Sequence, residues 1–189
     1  LINQVIDDFL PSLLVEAEWP SKNTYSNLGN TLKPKNLQDQ PSITLTSSPP
    51  SSSSSSESPT TCFSTNTTYV LALTDPDAPS RDNPKWSEFC HWIATGLTVS
   101  SSSSAAADAD LMPYKPPGPP EKTGKHRYVF LVFVPANGTS EPLDLSKPGD
   151  RQHWGFEFEG GRVGVRRWAQ ENGLVPIAAN FIYAQNKKQ

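Results

Sequence analysis

The stretch that most constrains this chain is residues 128–134, Tyr-Val-Phe-Leu-Val-Phe-Val, where no polar side chain interrupts either face. At the two-residue period of a strand, Tyr128, Phe130, Val132 and Val134 point one way and Val129, Leu131 and Phe133 the other. A strand that is apolar on both faces must be covered on both, so it belongs at the centre of a packed sandwich. Just before it, Gly124-Lys125-His126-Arg127 puts His126 in phase with Tyr128. One polar group therefore enters the interior beside the other.

Two further stretches answer to this one. Residues 69–74 alternate, with Tyr69, Leu71 and Leu73 on one face and Val70, Ala72 and Thr74 on the other, and read as a mostly buried strand. The strand stops at Asp75-Pro76-Asp77-Ala78-Pro79-Ser80-Arg81. Pro76 and Pro79 remove backbone donors and bias their predecessors toward extended backbone, so Asp75 and Asp77 are held on a stiff turn at a strand mouth. Residues 88–97 form a third strand, with Phe89, His91 and Ile93 on one face and Cys90, Trp92 and Ala94 on the other. Three strand ends thus gather two carboxylates, two histidines and a tyrosine.

With 189 residues the chain is long enough for one domain with a sizeable core, spanning 1–189. Its 19 prolines and 11 glycines favour short elements and turns over long helices, and a formal charge of -3 gives no basic footprint for nucleic acid. Arg162, Arg166 and Arg167 read as solvated surface. Cys62 and Cys90 are too few for a disulfide framework or a metal-binding pair, which favours a reduced, cytoplasmic protein, with a vacuolar or secreted location as alternatives. No run of 18 apolar residues or leader pattern appears, so neither a membrane span nor a signal segment is expected.

Along the chain, Ile2, Val5, Ile6 and Phe9 recur at helical spacing and predict a short helix ended by Pro11. Residues 13–19 alternate as a half-exposed strand closed by Pro20, 27–30 make a turn, and 41–46 form another strand. Residues 46–61 and 98–110 are serine-rich and cannot bury enough apolar area to offset the entropy of ordering, so both are expected to be insert loops. Residues 112–123 make a stiff proline- and glycine-rich segment. Residues 150–158 carry His153, read as structural. A helix over 165–172 faces inward with Val165, Trp168 and Ala169 and ends at Gly173; 174–183 supply the last strand.

The pair Asp-Pro-Asp-Ala-Pro-Ser-Arg and Gly-x-His-Arg-Tyr-Val-Phe-Leu-Val resembles the two signature regions of the phosphatidylethanolamine-binding protein family. Trp86 to His91, Tyr114 followed by Gly118-Pro119-Pro120, Leu28-Gly29-Asn30-Thr31-Leu32 and Pro176-Ile177-Ala178-Ala179-Asn180-Phe181 fall in family order too, closest in look to fungal carboxypeptidase Y inhibitor members. The resemblance implies a mainly β fold, an antiparallel β-sandwich with a large central sheet and one or two short helices. It maps an anion pocket onto Asp75, His91, Gly118, His126 and Tyr128. Pro79, Trp86, Tyr114 and Pro119 would be wall residues, and Asp77 and Arg127 would brace the loops. Animal members continue into a C-terminal helix beside the pocket, so a more open pocket is expected in this chain.

Chemically, two histidines, a tyrosine and a glycine-lined wall can offer donors to an oxyanion, while Asp75 would repel a dianion unless a proton or a ligand amine compensates it. The expected ligand is therefore a phosphate-bearing small molecule or a phosphatidylethanolamine headgroup, bound with pH dependence. The leading reading is a monomeric, non-enzymatic regulatory protein that inhibits a serine carboxypeptidase or modulates a kinase, with no cofactor. The alternative is a metal-dependent or histidine-based hydrolase using Asp75, His91 and His126. Against it, no Gly-x-Ser-x-Gly elbow and no local His-x-x-x-His spacing occurs.

Overall fold

The computed structural model describes residues 4–47, 67–97, 109–141, 143–155 and 163–189. Within them the elements run β1 (Leu13–Trp19), β2 (Thr24–Tyr25), β3 (Asn30–Leu32), β4 (Ser42–Ser47), β5 (Tyr69–Asp75), β6 (Phe89–Leu97), β7 (Ala109–Met112), β8 (Lys125–Pro135), α1 (Gly164–Glu171) and β9 (Leu174–Gln185). They form a three-stranded sheet, β2-β1-β4, and a six-stranded sheet, β3-β9-β8-β5-β6-β7. The pairings are antiparallel except for β3, which runs parallel to β9.

The large sheet is covered on both sides, as the apolar run of β8 requires. On one side β1 and β4 contribute Leu13, Val15, Trp19, Ile43 and Leu45 against Leu71, Leu73, Phe130 and Val132. Trp19 meets Phe130 edge to face at 6.3 Å. On the other side Val70, Ala72, Val129, Leu131 and Phe133 are covered by Val165, Trp168 and Ala169 of α1, by Trp154, and by Val5 and Ile6. β5 is buried at all seven positions. Burying a large apolar side chain contributes about 1.5–3 kcal/mol, so these two central strands anchor whatever their ends carry.

The expected strands over 13–19, 69–74 and 174–183 and the helix over 165–172 are present, with Gly173 at φ 63° beyond the helix end. Three expectations are corrected. Residues 4–9 contain no helix; Val5 and Ile6 are nonetheless buried, in a non-helical segment whose continuation is tied down by Ser12 N–H donating to the Ile177 carbonyl. Tertiary burial has overridden the local period. The first expected insert begins inside a strand, with Thr46 and Ser47 in β4, and the second ends inside one, with Ala109 and Asp110 in β7. The remaining insert residues, together with Cys62 and Arg162, lie outside the described residues.

The third correction concerns β6. Consecutive β5 residues Leu73 and Thr74 pair with Trp92 and Cys90, so His91 is the extra residue of a β-bulge. The period-two reading fails there. Cys90 and Ile93 both enter the core beneath α1, while Trp92 and Ala94 enter the core between the sheets.

Candidate functional site

The site forms where β5 ends and β8 begins. Asp75 is the last residue of β5, and its Oδ1 accepts a hydrogen bond at 2.7 Å from the Asp77 backbone N–H, which fixes the carboxylate on the turn. Its Oδ2 accepts from His126 Nδ1 at 2.8 Å. The other His126 nitrogen, Nε2, lies 3.0 Å from Thr123 Oγ1, and the Thr123 hydroxyl gives its own proton to the Pro120 carbonyl at 2.8 Å. The Asp75–His126 pair is nearly buried. Each Asp75 carboxylate oxygen thus already accepts a hydrogen bond from within the protein.

The bulge at His91 frees its backbone for other partners. The Lys115 N–H donates to the His91 carbonyl at 2.8 Å, and His91 Nδ1–H donates to the Lys115 carbonyl at 2.7 Å. Arg151 Nη1 adds a third hold, at 3.1 Å from the same His91 carbonyl. His91 is therefore clamped in the tautomer that leaves Nε2 free. Burial, only partly offset by the Asp75 charge and the Lys115 carbonyl, lowers its pKa to about 4, so the ring is a neutral acceptor near pH 7. Tyr128 stands edge-on to His91 at 5.1 Å and stacked with His126 at 6.4 Å. The Gly118 amide bonds to the Tyr128 hydroxyl, whose pKa is raised chiefly by burial.

These groups open into a cavity of about 230 Å³. Asp75, His91, Gly118, His126 and Tyr128 line it together, as do Pro79, Trp86 and Pro119. Tyr114 does not. It turns into the core against Trp92 at 5.7 Å and donates its hydroxyl to the Leu37 carbonyl, so it supports the loop from behind. Asp77 and Arg127 also lie off the cavity, in a two-pronged ion pair: Arg127 Nη2 donates to Asp77 Oδ1 at 2.6 Å and Nε to Oδ2 at 2.8 Å. The Arg127 backbone N–H donates to the same carboxylate, and Nη1 reaches Gln4 Oε1 at 2.6 Å.

A larger concavity of about 440 Å³ lies between residues 146–154 and α1. Its titratable groups, Lys147, Asp150, His153 and Glu171, sit on exposed positions. The smaller cavity is the candidate site because, of the two, only it gathers buried, mutually oriented groups.

Several members of the neighbourhood were not singled out from sequence. Phe89, Lys115, Pro116, Pro120 and Gln152 line the cavity, Phe89 and Pro120 from within the quoted stretches, and Thr123 contacts His126. Glu88 is fully buried immediately before β6, accepting from Thr74 Oγ1 at 2.7 Å, while its Oε1 has no hydrogen-bond partner among the described residues; desolvation raises its pKa to about 8. Cys90, also buried, is pushed up to about 12, which makes it an inert apolar-like side chain.

Among the described residues no group of three His, Cys, Asp or Glu is arranged to hold a metal ion, and no helix is long and apolar enough to cross a membrane. The family model described as phosphatidylethanolamine-binding protein matches residues 22–182. The chain belongs to the phosphatidylethanolamine-binding protein family. Within that family it is 31% identical to the carboxypeptidase Y inhibitor of Saccharomyces cerevisiae, over 99% of this chain and 91% of that protein. The crystal structure of a carboxypeptidase Y inhibitor complexed with the cognate proteinase superposes with a TM-score of 0.76 at 33% identity, covering 95% of this chain and 86% of that one. A phosphatidylethanolamine-binding protein from Plasmodium vivax shares the fold, with a TM-score of 0.62 at 20% identity over 98% of this chain and 88% of its own. The family is named for binding and the yeast relative for inhibition, and the hydrolase alternative finds no support in either.

Proposed function

We propose that this protein inhibits a serine carboxypeptidase and carries, in the same domain, a pocket for a phosphate or phospholipid headgroup. The observation that carries the inhibitor reading is the match to a carboxypeptidase Y inhibitor along nearly the whole of both chains. A fold alone would leave function open, because one fold serves many. Here the likeness extends through sequence and fold along nearly the whole chain. The test is a rate assay: carboxypeptidase Y cleaving a chromogenic peptide, with the inhibitor candidate added in rising amounts. Loss of rate that saturates with the added protein is expected. An unchanged rate at micromolar excess removes the proposal.

The pocket reading rests on the convergence of His91, Tyr128, Gly118 and the hydrogen-bonded Asp75–His126 pair in one small cavity. His91 presents an acceptor, Nε2, and a phosphate monoester that keeps one proton presents a matching P–OH donor. The fraction of phosphate carrying that proton rises as pH falls past about 6. Binding of phosphoethanolamine, read by calorimetry, is therefore expected to be tighter at pH 6 than at pH 8. It is also expected to vanish in His126→Ala. Equal binding at the two pH values would contradict this account of His91.

A further inference from the structure

We infer that Lys115 is the cation that sets what this pocket accepts, and that the pocket takes a small soluble phosphate monoester without an amine. The inference rests on the reading of the cavity as an anion pocket and deepens it.

Three observations carry it. First, both Asp75 oxygens are already engaged: Oδ1 accepts from the Asp77 amide and Oδ2 pairs with His126 Nδ1. A ligand amine would have to share an oxygen that already holds a donor. Secondly, among the described residues Lys115 is the one lysine or arginine that lines the cavity, and the nearby guanidinium groups are engaged. Arg127 is taken by Asp77 and Gln4, and Arg151 by the carbonyls of Cys90, His91 and Pro113. Thirdly, Lys115 lines the cavity, its side chain is exposed, and it joins no carboxylate among the described residues. Its Nζ lies 5.6 Å from the centre of the Phe89 ring, itself a wall residue packed at 4.7 Å on His91.

The backbone of Lys115 and the His91 residue also hold one another through a reciprocal pair of hydrogen bonds. The lysine therefore leaves the wall from a point fixed against His91. A flexible ammonium rooted there acts as a point charge for phosphate. The same charge repels a second ammonium, so a zwitterionic headgroup loses attraction where an uncharged one does not. A cavity of about 230 Å³ has room for a phosphate and a few carbons. An acyl chain would have to leave it.

The probes are propyl phosphate and phosphoethanolamine, which differ in a methyl against an ammonium group at nearly the same size. Calorimetry is run on the full chain, on Lys115→Gln and on Lys115→Arg. Propyl phosphate is expected to bind at least several-fold more tightly than phosphoethanolamine. Lys115→Gln should weaken propyl phosphate about tenfold and shrink the difference between the probes, a loss that Lys115→Arg largely restores, as expected for one charge-assisted contact. Phosphoethanolamine binding as tightly as propyl phosphate, or Lys115→Gln binding as the unsubstituted chain does, would overturn the inference. Neither probe binding the unsubstituted chain would remove the pocket reading itself. Vesicles of phosphatidylcholine carrying phosphatidic acid form a last arm: tight binding that propyl phosphate cannot compete would overturn the soluble ligand in favour of a lipid.

Discussion

Asp75 and Asp77 stand two residues apart on one turn, and each pairs with a side chain at the start of β8, His126 for the first and Arg127 for the second. The strand period sends those partners to opposite faces of the sheet. Asp75–His126 opens on the cavity and joins a titratable ring to Thr123 and Pro120. Asp77–Arg127 lies off the cavity, is bonded through two prongs and a backbone amide, and reaches the N-terminal segment at Gln4. A guanidinium does not lose its proton at any ordinary pH, so the second pair stays charged. Neighbouring residues of one motif thus serve two places, one pair bracing the turn and the other lining the cavity.

The comparison is broken most severely at the supporting pair. Arg127→Ala leaves the Asp77 carboxylate buried and uncompensated, and breaking a buried pair in this way costs about 3–5 kcal/mol. For a domain of this size the unfolding midpoint should fall by about 10 °C. A loss below about 1 kcal/mol in a urea melt would mean that water enters to solvate Asp77. His126→Ala should cost less, about 1–3 kcal/mol, because Asp75 keeps the Asp77 amide and borders the open cavity. A larger loss than in Arg127→Ala would reverse the assignment of the two pairs.

The comparison is sharpened by Glu88, a carboxyl with no cationic partner in hydrogen-bond contact among the described residues. Its folded pKa of about 8 against an ordinary 4.5 means that the native state holds the proton where the unfolded chain releases it. Stability contributed by this group therefore falls as pH rises from about 4.5 to 8. Glu88→Gln should flatten that decline and raise the midpoint at pH 8 by a few degrees, read from melts across the range. His91 acts with the opposite slope. Its pKa of about 4 against 6.5 makes stability rise as pH climbs between those values. The smallest effect is expected on the surface: Lys188→Ala, which removes the exposed pair with Glu121, should change stability by less than about 0.5 kcal/mol.

Local pattern explains which parts of the molecule could be read from sequence. β1, β5, β8 and α1 carry unbroken periods, and their buried faces fall where the period puts them. Asp75, His126 and Tyr128 were legible because proline constraints and strand phase fix their directions within a few residues. The bulge at His91 was not legible, since it exists only in the register between β5 and β6. Nor was the non-helical segment over 4–9, whose apolar residues find their partners on distant strands and α1. Tyr114 belonged to the right loop but faces the core, and Lys115, its neighbour, faces the cavity. In an irregular segment no period tells two adjacent residues apart.

The most direct test of the division between the two pairs is the shift in unfolding midpoint caused by excess phosphate, measured on the unsubstituted chain, His126→Ala and Arg127→Lys. A ligand that binds the native state alone raises the midpoint by mass action. The account predicts a rise in the unsubstituted chain, none in His126→Ala, and an undiminished rise in Arg127→Lys from a lower starting midpoint. A rise that persists in His126→Ala, or disappears equally in both variants, would contradict it.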